Sequence, residues 1–181
     1  MTALPTNLTP GTWTIDAAHT QVGFSVRHAG ISKVRGHFSD VEGTLTVGES
    51  VEESALKVEV KTASIDTRNE GRDGHLRSGD FFESEEFPTM TFSSLTASGA
   101  GEDWVMRGEL TIKGVTREVE LEVEYNGVAT DPFGAHRAGF SAETTINRKD
   151  WGLSWNAALE TGGVLVSDKI KLELEAEFVK A

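Results

Sequence analysis

Between Arg72 and Phe82 the chain gathers most of the residue types that do chemistry: Arg72, Asp73, His75, Ser78 and Asp80, followed by the pair Phe81-Phe82. Asp73, His75 and Ser78 are the types of an orienting acid, a base and a nucleophile, which acyl transfer needs in convergence. Their spacing of i, i+2 and i+5 does not bring them to one helical face, and no G-x-S-x-G turn is present to strain a serine. Hydrolysis of a lipid ester is therefore the alternative reading, and no catalytic residue is assigned. Arg72, His75, Leu76 and Gly79 do share a face of a helical turn, at i, i+3, i+4 and i+7. There Arg72 and His75 are donors suited to the head group of a ligand, and Leu76, Phe81 and Phe82 supply apolar contact. A plainer reading stays open, in which Asp73 pairs with a nearby arginine and His75 satisfies a loop carbonyl.

Metal chemistry finds less support. Of the histidines His19, His28, His37, His75 and His136, none lies in an H-x-x-x-H or H-E-x-x-H pair, and there is no cysteine. His28 and His136 each continue the apolar parity of a strand; two facing histidines could hold a metal, and a hydrogen-bonded core histidine gives the same pattern. No metal and no cofactor are expected. Gly162-Gly163 is too short for a phosphate loop. The segment Ile146 to Trp155 carries Trp151 and Trp155 with Arg148 and Asp150. Its tryptophans either line a cavity mouth or plug one end of the fold, with Arg148 and Asp150 fastening the turn.

The elements that must position these groups are strands. Val22, Phe24 and Val26 alternate with polar neighbours, as do Leu56 to Val60, Val119 to Tyr125, Ala138 to Thr144 and Ile170 to Phe178. One apolar and one charged face is the mark of an antiparallel sheet buried on one side. Turn signals separate the runs: Gly48 to Glu53, Ser98 to Asp103, Lys113-Gly114, Asn126-Gly127 and Asp131-Pro132. Asn-Gly predicts a type I′ hairpin. Strands this long favour closure into an all-β antiparallel barrel of about eight strands over a two-sheet sandwich. The helical element is expected between Ile65 and Glu86, as a short cap. Such a barrel is either filled by its side chains or holds one small ligand. Phe24, Val26, Met90, Phe92, Leu121, Val123 and Phe140 are the expected lining. Small inward residues such as Ala138, Ala142 and Ala176 leave volume for an apolar guest, unless large residues opposite fill it. Residues 1–10 read as a flexible lead-in and 11–181 as one domain.

Charge excludes several function classes. With 29 acidic against 17 basic residues the formal net charge is −12. That balance opposes nucleic-acid binding and tight docking on an anionic membrane. No apolar run is long enough to span a bilayer, so no stable insertion is expected. The first residues lack a positive n-region and an apolar h-region, which points to the cytoplasm. A homodimer through strand edges or the barrel mouth is compatible with the pattern.

Taken in order, several motifs resemble one family. They are Asp-x-x-His-Thr-x-Val-x-Phe-x-Val-x-His (Asp16 to His28), Ala-Ser-Ile-Asp-Thr (63–67) and Arg-Asp-x-His-Leu-x-Ser-x-Asp-Phe-Phe (72–82). Further along come Phe-Pro-x-Met-x-Phe (87–92), Gly-x-Leu-Thr-Ile-x-Gly-Val-Thr (108–116) and Asn-Arg-x-Asp-Trp-Gly (147–152). This succession, roughly Trp13 to Phe178, resembles the YceI-like family. The resemblance implies a lipocalin-like barrel whose elongated apolar channel binds long amphiphiles such as polyisoprenoids, isoprenoid quinones or fatty amides, with no enzymatic activity. It also implies that Arg72, Asp73, His75, Leu76, Asp80, Phe81 and Phe82 form the cap. Many relatives are exported, whereas this sequence shows no signal peptide.

Overall fold

The computed structural model describes residues 1–159 and 163–181, so Gly162 of the Gly162-Gly163 pair lies outside the described residues. Strands β1 (Gly11–Ile15) and β2 (Gln21–His28) form one long line broken by a 3-10 turn at Ala17–His19. β3 (Ser32–Phe38) and β4 (Val41–Val47) form a second, and β5 (Ala55–Lys61) and β6 (Ile65–Asp66) a third. β7 (Thr89–Ala100), β8 (Asp103–Ile112), β9 (Val115–Thr130), β10 (His136–Asn147) and β11 (Val166–Lys180) supply the rest. Every pairing between strands is antiparallel, and the circuit closes where β11 meets both β1 (Trp13↔Lys180) and β2 (Phe24↔Leu172). The result is a closed antiparallel barrel of eight strand lines, as the alternation predicts. Among the described residues no helix is long and apolar enough to cross a membrane.

Turn chemistry explains most of the connections, with one departure. Ile112 pairs with Val115 across Lys113 (φ 50°) and Gly114 (φ 76°), both in the left-handed region that a two-residue hairpin demands. Asn126-Gly127 was expected to turn the chain and does not: β9 runs straight through it to Thr130. The pairing of β9 with β10 slips there, between Gly139 and Phe140, so Gly127 (φ 120°) serves a bulge that bends a long strand. The reversal falls instead at Asp131 to Ala135, where the Asp131 carboxylate accepts from the amides of Phe133 and Ala135.

The barrel has two different ends. At the lower end residues 1–10, expected as a lead-in outside the domain, run against the barrel. Leu8 is buried, and the Tyr125 hydroxyl donates to the Thr6 carbonyl at 2.7 Å. At the upper end the ring is incomplete. β6 pairs only with β3 (Phe38↔Ile65), and β7 starts at Thr89 opposite Lys61. Helix α1 (Glu70–Arg77) and residues 78–88 occupy the space between. Asn69 caps α1, its side chain accepting from the Arg72 amide at 2.9 Å.

Candidate functional site

Behind α1 lies an apolar chamber of about 90 Å³. The strands supply Phe24, Val26, Phe38, Met90, Ile170 and Leu172; the cap supplies Leu76, Phe81 and Phe82; the turn after β10 supplies Trp151 and Leu153. Two and four residues further along the same face of β11, Leu174 and Ala176 enter a second apolar chamber, of about 40 Å³. It holds Leu121, Val123, Phe140, Ala142 and Trp104. The expected lining residues are thus divided between two stacked chambers and not arrayed along one open channel. Phe92 faces neither. Its ring lies across Gly108, where a Cβ would stand 2.6 Å from Phe92 Cζ, so it is buried in the wall. Phe24 uses the same device over Gly36, where a Cβ would stand 2.5 Å from its ring, but remains on the chamber surface.

The upper chamber leads to a vestibule of about 260 Å³ on the outside. Phe24, Val26, Leu76, Phe81 and Val166 belong to both spaces. Arg27, His28, Arg72, His75 and Trp155 rim the outer one, so the interior is apolar and the rim polar. Ring edges and faces hold the cap together. His75 meets Trp155 at 4.6 Å and Phe81 at 5.2 Å, while Phe82 packs on Phe38 at 5.6 Å. The cap polar groups are largely bound to each other. His75 Nε2 is 2.8 Å from Asp80, and Asp73 is buried, accepting from the Thr67 amide at 2.9 Å and from its hydroxyl at 2.5 Å. Arg72 donates Nε to the Thr67 hydroxyl and Nη2 to the Thr67 carbonyl, both at 2.7 Å. Asp73 therefore pairs with a threonine and not with an arginine, and His75 meets a carboxylate and not a carbonyl. Ser78 donates to the His75 carbonyl at 2.6 Å, away from the imidazole. Asp73, His75 and Ser78 are not assembled as a triad.

The segment after β10 closes the barrel top. Asn147 accepts from the Lys149 amide at 3.0 Å, Gly152 (φ 80°) ends the 3-10 turn, and Trp151 Nε1 donates to the Leu110 carbonyl at 2.9 Å. Trp151 is a plug that also lines the chamber; Trp155 faces the vestibule. Arg148 does not fasten the turn through Asp150: among the described residues its carboxylate neighbour is Asp168, at 3.8 Å. Arg148 is buried, donating Nη1 to the Leu153 and Trp155 carbonyls (2.6 and 2.9 Å) and Nε to that of Ser167 (3.0 Å). Burial pushes its guanidinium down from the usual range, against the opposing pull of Asp168, and the carbonyls compensate the charge. One signal for this was present in the sequence: Arg148 continues the inward parity of Ala142, Thr144 and Ile146. Ile112 carried the same signal, continuing the parity of Met106 and Leu110, whereas nothing comparable marked Leu153, whose position depends on how the turn folds back.

His28 and His136 do not face each other; they stand at opposite ends of the barrel. Among the described residues one set has metal-ligand types in reach, Asp16, His19 and Glu177, and Arg137 lies on it, 2.6 Å from Asp16.

A YceI-like domain model matches residues 13–178. The UPF0312 protein SAS2572 of Staphylococcus aureus is 41% identical over 171 residues, 92% of this chain and 96% of that protein. The crystal structure of the Campylobacter jejuni YCEI protein superposes with a TM-score of 0.74 at 35% identity, over 92% of this chain and 96% of that one. A polyisoprenoid binding domain from Saccharophagus degradans shares the fold at 14% identity, with a TM-score of 0.73 over 96% of this chain and 100% of its own. Family model, relatives and barrel agree, and the chain belongs to the YceI-like domain family.

Proposed function

We propose that this protein binds or carries a long-chain amphiphile such as a polyisoprenoid, an isoprenoid quinone or a fatty amide, with its tail in the barrel and its polar head at the vestibule. The observation that carries this reading is a chamber with an apolar surface under an aromatic cap, its one charged lining residue Arg148 bound to loop carbonyls, opening onto a rim of Arg27, His28, Arg72 and His75. The Saccharophagus degradans neighbour, described as polyisoprenoid-binding, supports lipid as the class. The upper chamber, about 90 Å³, is small beside a long-chain tail. A longer tail therefore enters by displacing the cap residues Leu76, Phe81 and Phe82 or by joining the two chambers. Each methylene buried contributes roughly 0.8 kcal/mol, so a modest tail offsets that rearrangement. The reading is one of binding and not of catalysis; in the cap the Ser78 hydroxyl donates to the His75 carbonyl and not to its ring.

Organic extraction of purified protein followed by mass spectrometry tests the reading; a stoichiometric lipid is expected, and a reproducibly empty barrel would sink it. Phe81→Ala with Phe82→Ala should weaken lipid binding at least about tenfold, because each truncation removes apolar contact worth roughly 1.5–3 kcal/mol. Thermal melting run alongside separates lost binding from lost folding. Ester hydrolysis that disappears in Ser78→Ala would instead favour an esterase.

A further inference from the structure

The net charge of −12 is not spread evenly over the barrel. β9 presents Glu118, Glu120, Glu122 and Glu124 outward, and Glu143 on β10 and Glu173 on β11 continue the row beside them. Around the ring β9 lies four strand lines from β3, on the far side of the barrel. Toward the upper end of the β2–β3 pair the outward charged residues are cations, whereas Glu42 and Glu59 lie further down on β4 and β5. Arg27 stands opposite Lys33, and Arg35 is two residues further along. Arg68 and Arg72 follow from the neighbouring β6–α1 connection, where Thr67 lies against Gly36. None of these five forms an ion pair with a described residue. Of the described acids nearby, Asp80 meets His75, Asp73 accepts from Thr67 and Asp168 meets Lys149, while Asp66 accepts from the Arg68 amide and keeps its charge on this edge. Glu70 is exposed and reaches Arg77 only at 3.5 Å.

The same rim carries exposed apolar side chains. Ile31, at the tip between β2 and β3, is 84% exposed, and Val164 is 50% exposed. The two segments touch: the Ala29 amide donates to the Leu165 carbonyl at 2.7 Å. Leu165, Arg27 and His28 also line the vestibule, so the apolar tip, the cations and the opening occupy one edge.

We propose that this edge docks on an anionic lipid bilayer, with Arg27, Lys33 and Arg35 against the head groups, Ile31 in the interface and the vestibule opening onto the membrane. Charge complementarity names the partner. The glutamate face opposite is repelled by the same surface, which turns the basic edge toward it. An apolar tip among cations suits an interface that is charged outside and apolar beneath. Docking here would let a tail pass between bilayer and chamber without crossing water; that consequence rests on the lipid-binding reading, whereas the docking itself does not.

The test is sedimentation of the purified full chain with vesicles of phosphatidylcholine alone and with phosphatidylglycerol added, before and after delipidation. Binding to the anionic vesicles only, weakening as salt rises, is expected. Arg27→Gln with Lys33→Gln and Arg35→Gln should reduce it about a hundredfold, at roughly fivefold per charge removed. Ile31→Ser should reduce it about tenfold. A control with the same charge change elsewhere, Lys57→Gln with Arg107→Gln and Lys171→Gln, should lose far less. The proposal is overturned if neither vesicle binds, if both bind alike, or if the control loses as much as the rim variant. It is also overturned if the protein is retained on heparin but not on vesicles, which indicates a soluble polyanion. An empty barrel on extraction would remove the cargo reading and leave a positive vesicle result standing.

Discussion

At the scale of single residues, the polar groups of this barrel hold loops in place more than they wait for a ligand. Arg148 shows it best. Its removal as Arg148→Met leaves the carbonyls of Leu153, Trp155 and Ser167 without their donor. Unmade buried hydrogen bonds cost about 1–3 kcal/mol each, so the variant should lose about 3 kcal/mol or more in denaturant unfolding. Amide exchange should rise first at residues 153–157 and 165–168, which hold the carbonyls that Arg148 binds. Arg148→Lys keeps the charge but not the planar fork and should recover less than half. A second residue governs acid stability. Hydrogen bonds from His19 and Arg137 hold the Asp16 carboxyl at about 2, below its ordinary 3.8. The unfolded chain then takes the proton more readily, so this stabilisation is complete above about pH 4 and is lost as pH falls toward about 2. Asp16→Asn should flatten that part of a melting-temperature profile; an unchanged acid limb would show that other carboxylates dominate. The sequence declared Asp16 and His19 only through their motif, because their partners Arg137 and Glu177 lie more than a hundred positions away.

At the scale of elements, strands were far more legible than turns and cap. Alternation along β2, β5, β9, β10 and β11 says which side chains face inward, since a strand allows only two choices. It says nothing about depth along the axis. That is why Leu121, Val123 and Phe140, correctly inward, belong to the lower chamber and not beneath the cap. Asn126-Gly127 misleads for a related reason: the dipeptide supplies positive φ, which a bulge needs as much as a hairpin does. The cap was legible as a break in alternation, and the Arg72-to-Leu76 spacing located its helix. Its internal bonding was not, because Thr67 and Asp80 lie outside the helical repeat. α1 is also weak by composition. Gly74 is exposed in its middle, and a Cβ there meets nothing within 4 Å. Gly74→Ala should stabilise the chain by about 0.5–1 kcal/mol. If tail passage requires the cap to move, the same substitution should slow lipid exchange while leaving equilibrium affinity nearly unchanged. Faster exchange in a stabilised Gly74→Ala protein would mean that the passage lies away from α1.

At the scale of the molecule, closure of the sheet sets what the protein can hold. Eight strand lines leave an interior that side chains nearly fill, and here small residues on β10 and β11 keep part of it open. The opening is divided: about 90 Å³ beneath the cap and about 40 Å³ below, with Leu172 facing the first and Leu174 the second. A short tail is satisfied by the upper chamber, whereas a long one must reach the lower, where Ala142 and Ala176 share the lining with Trp104 and Phe140. Ala176→Val fills part of that lower space with a residue that suits a strand, so melting temperature should hold or rise slightly. The cargo should change instead. Each methylene kept out forfeits roughly 0.8 kcal/mol, about fourfold in affinity, so lipids extracted from the variant should be shorter than those from the wild type. An unchanged chain-length distribution in a well-folded Ala176→Val protein would place the end of the tail above Leu172 and confine the binding site to the capped chamber.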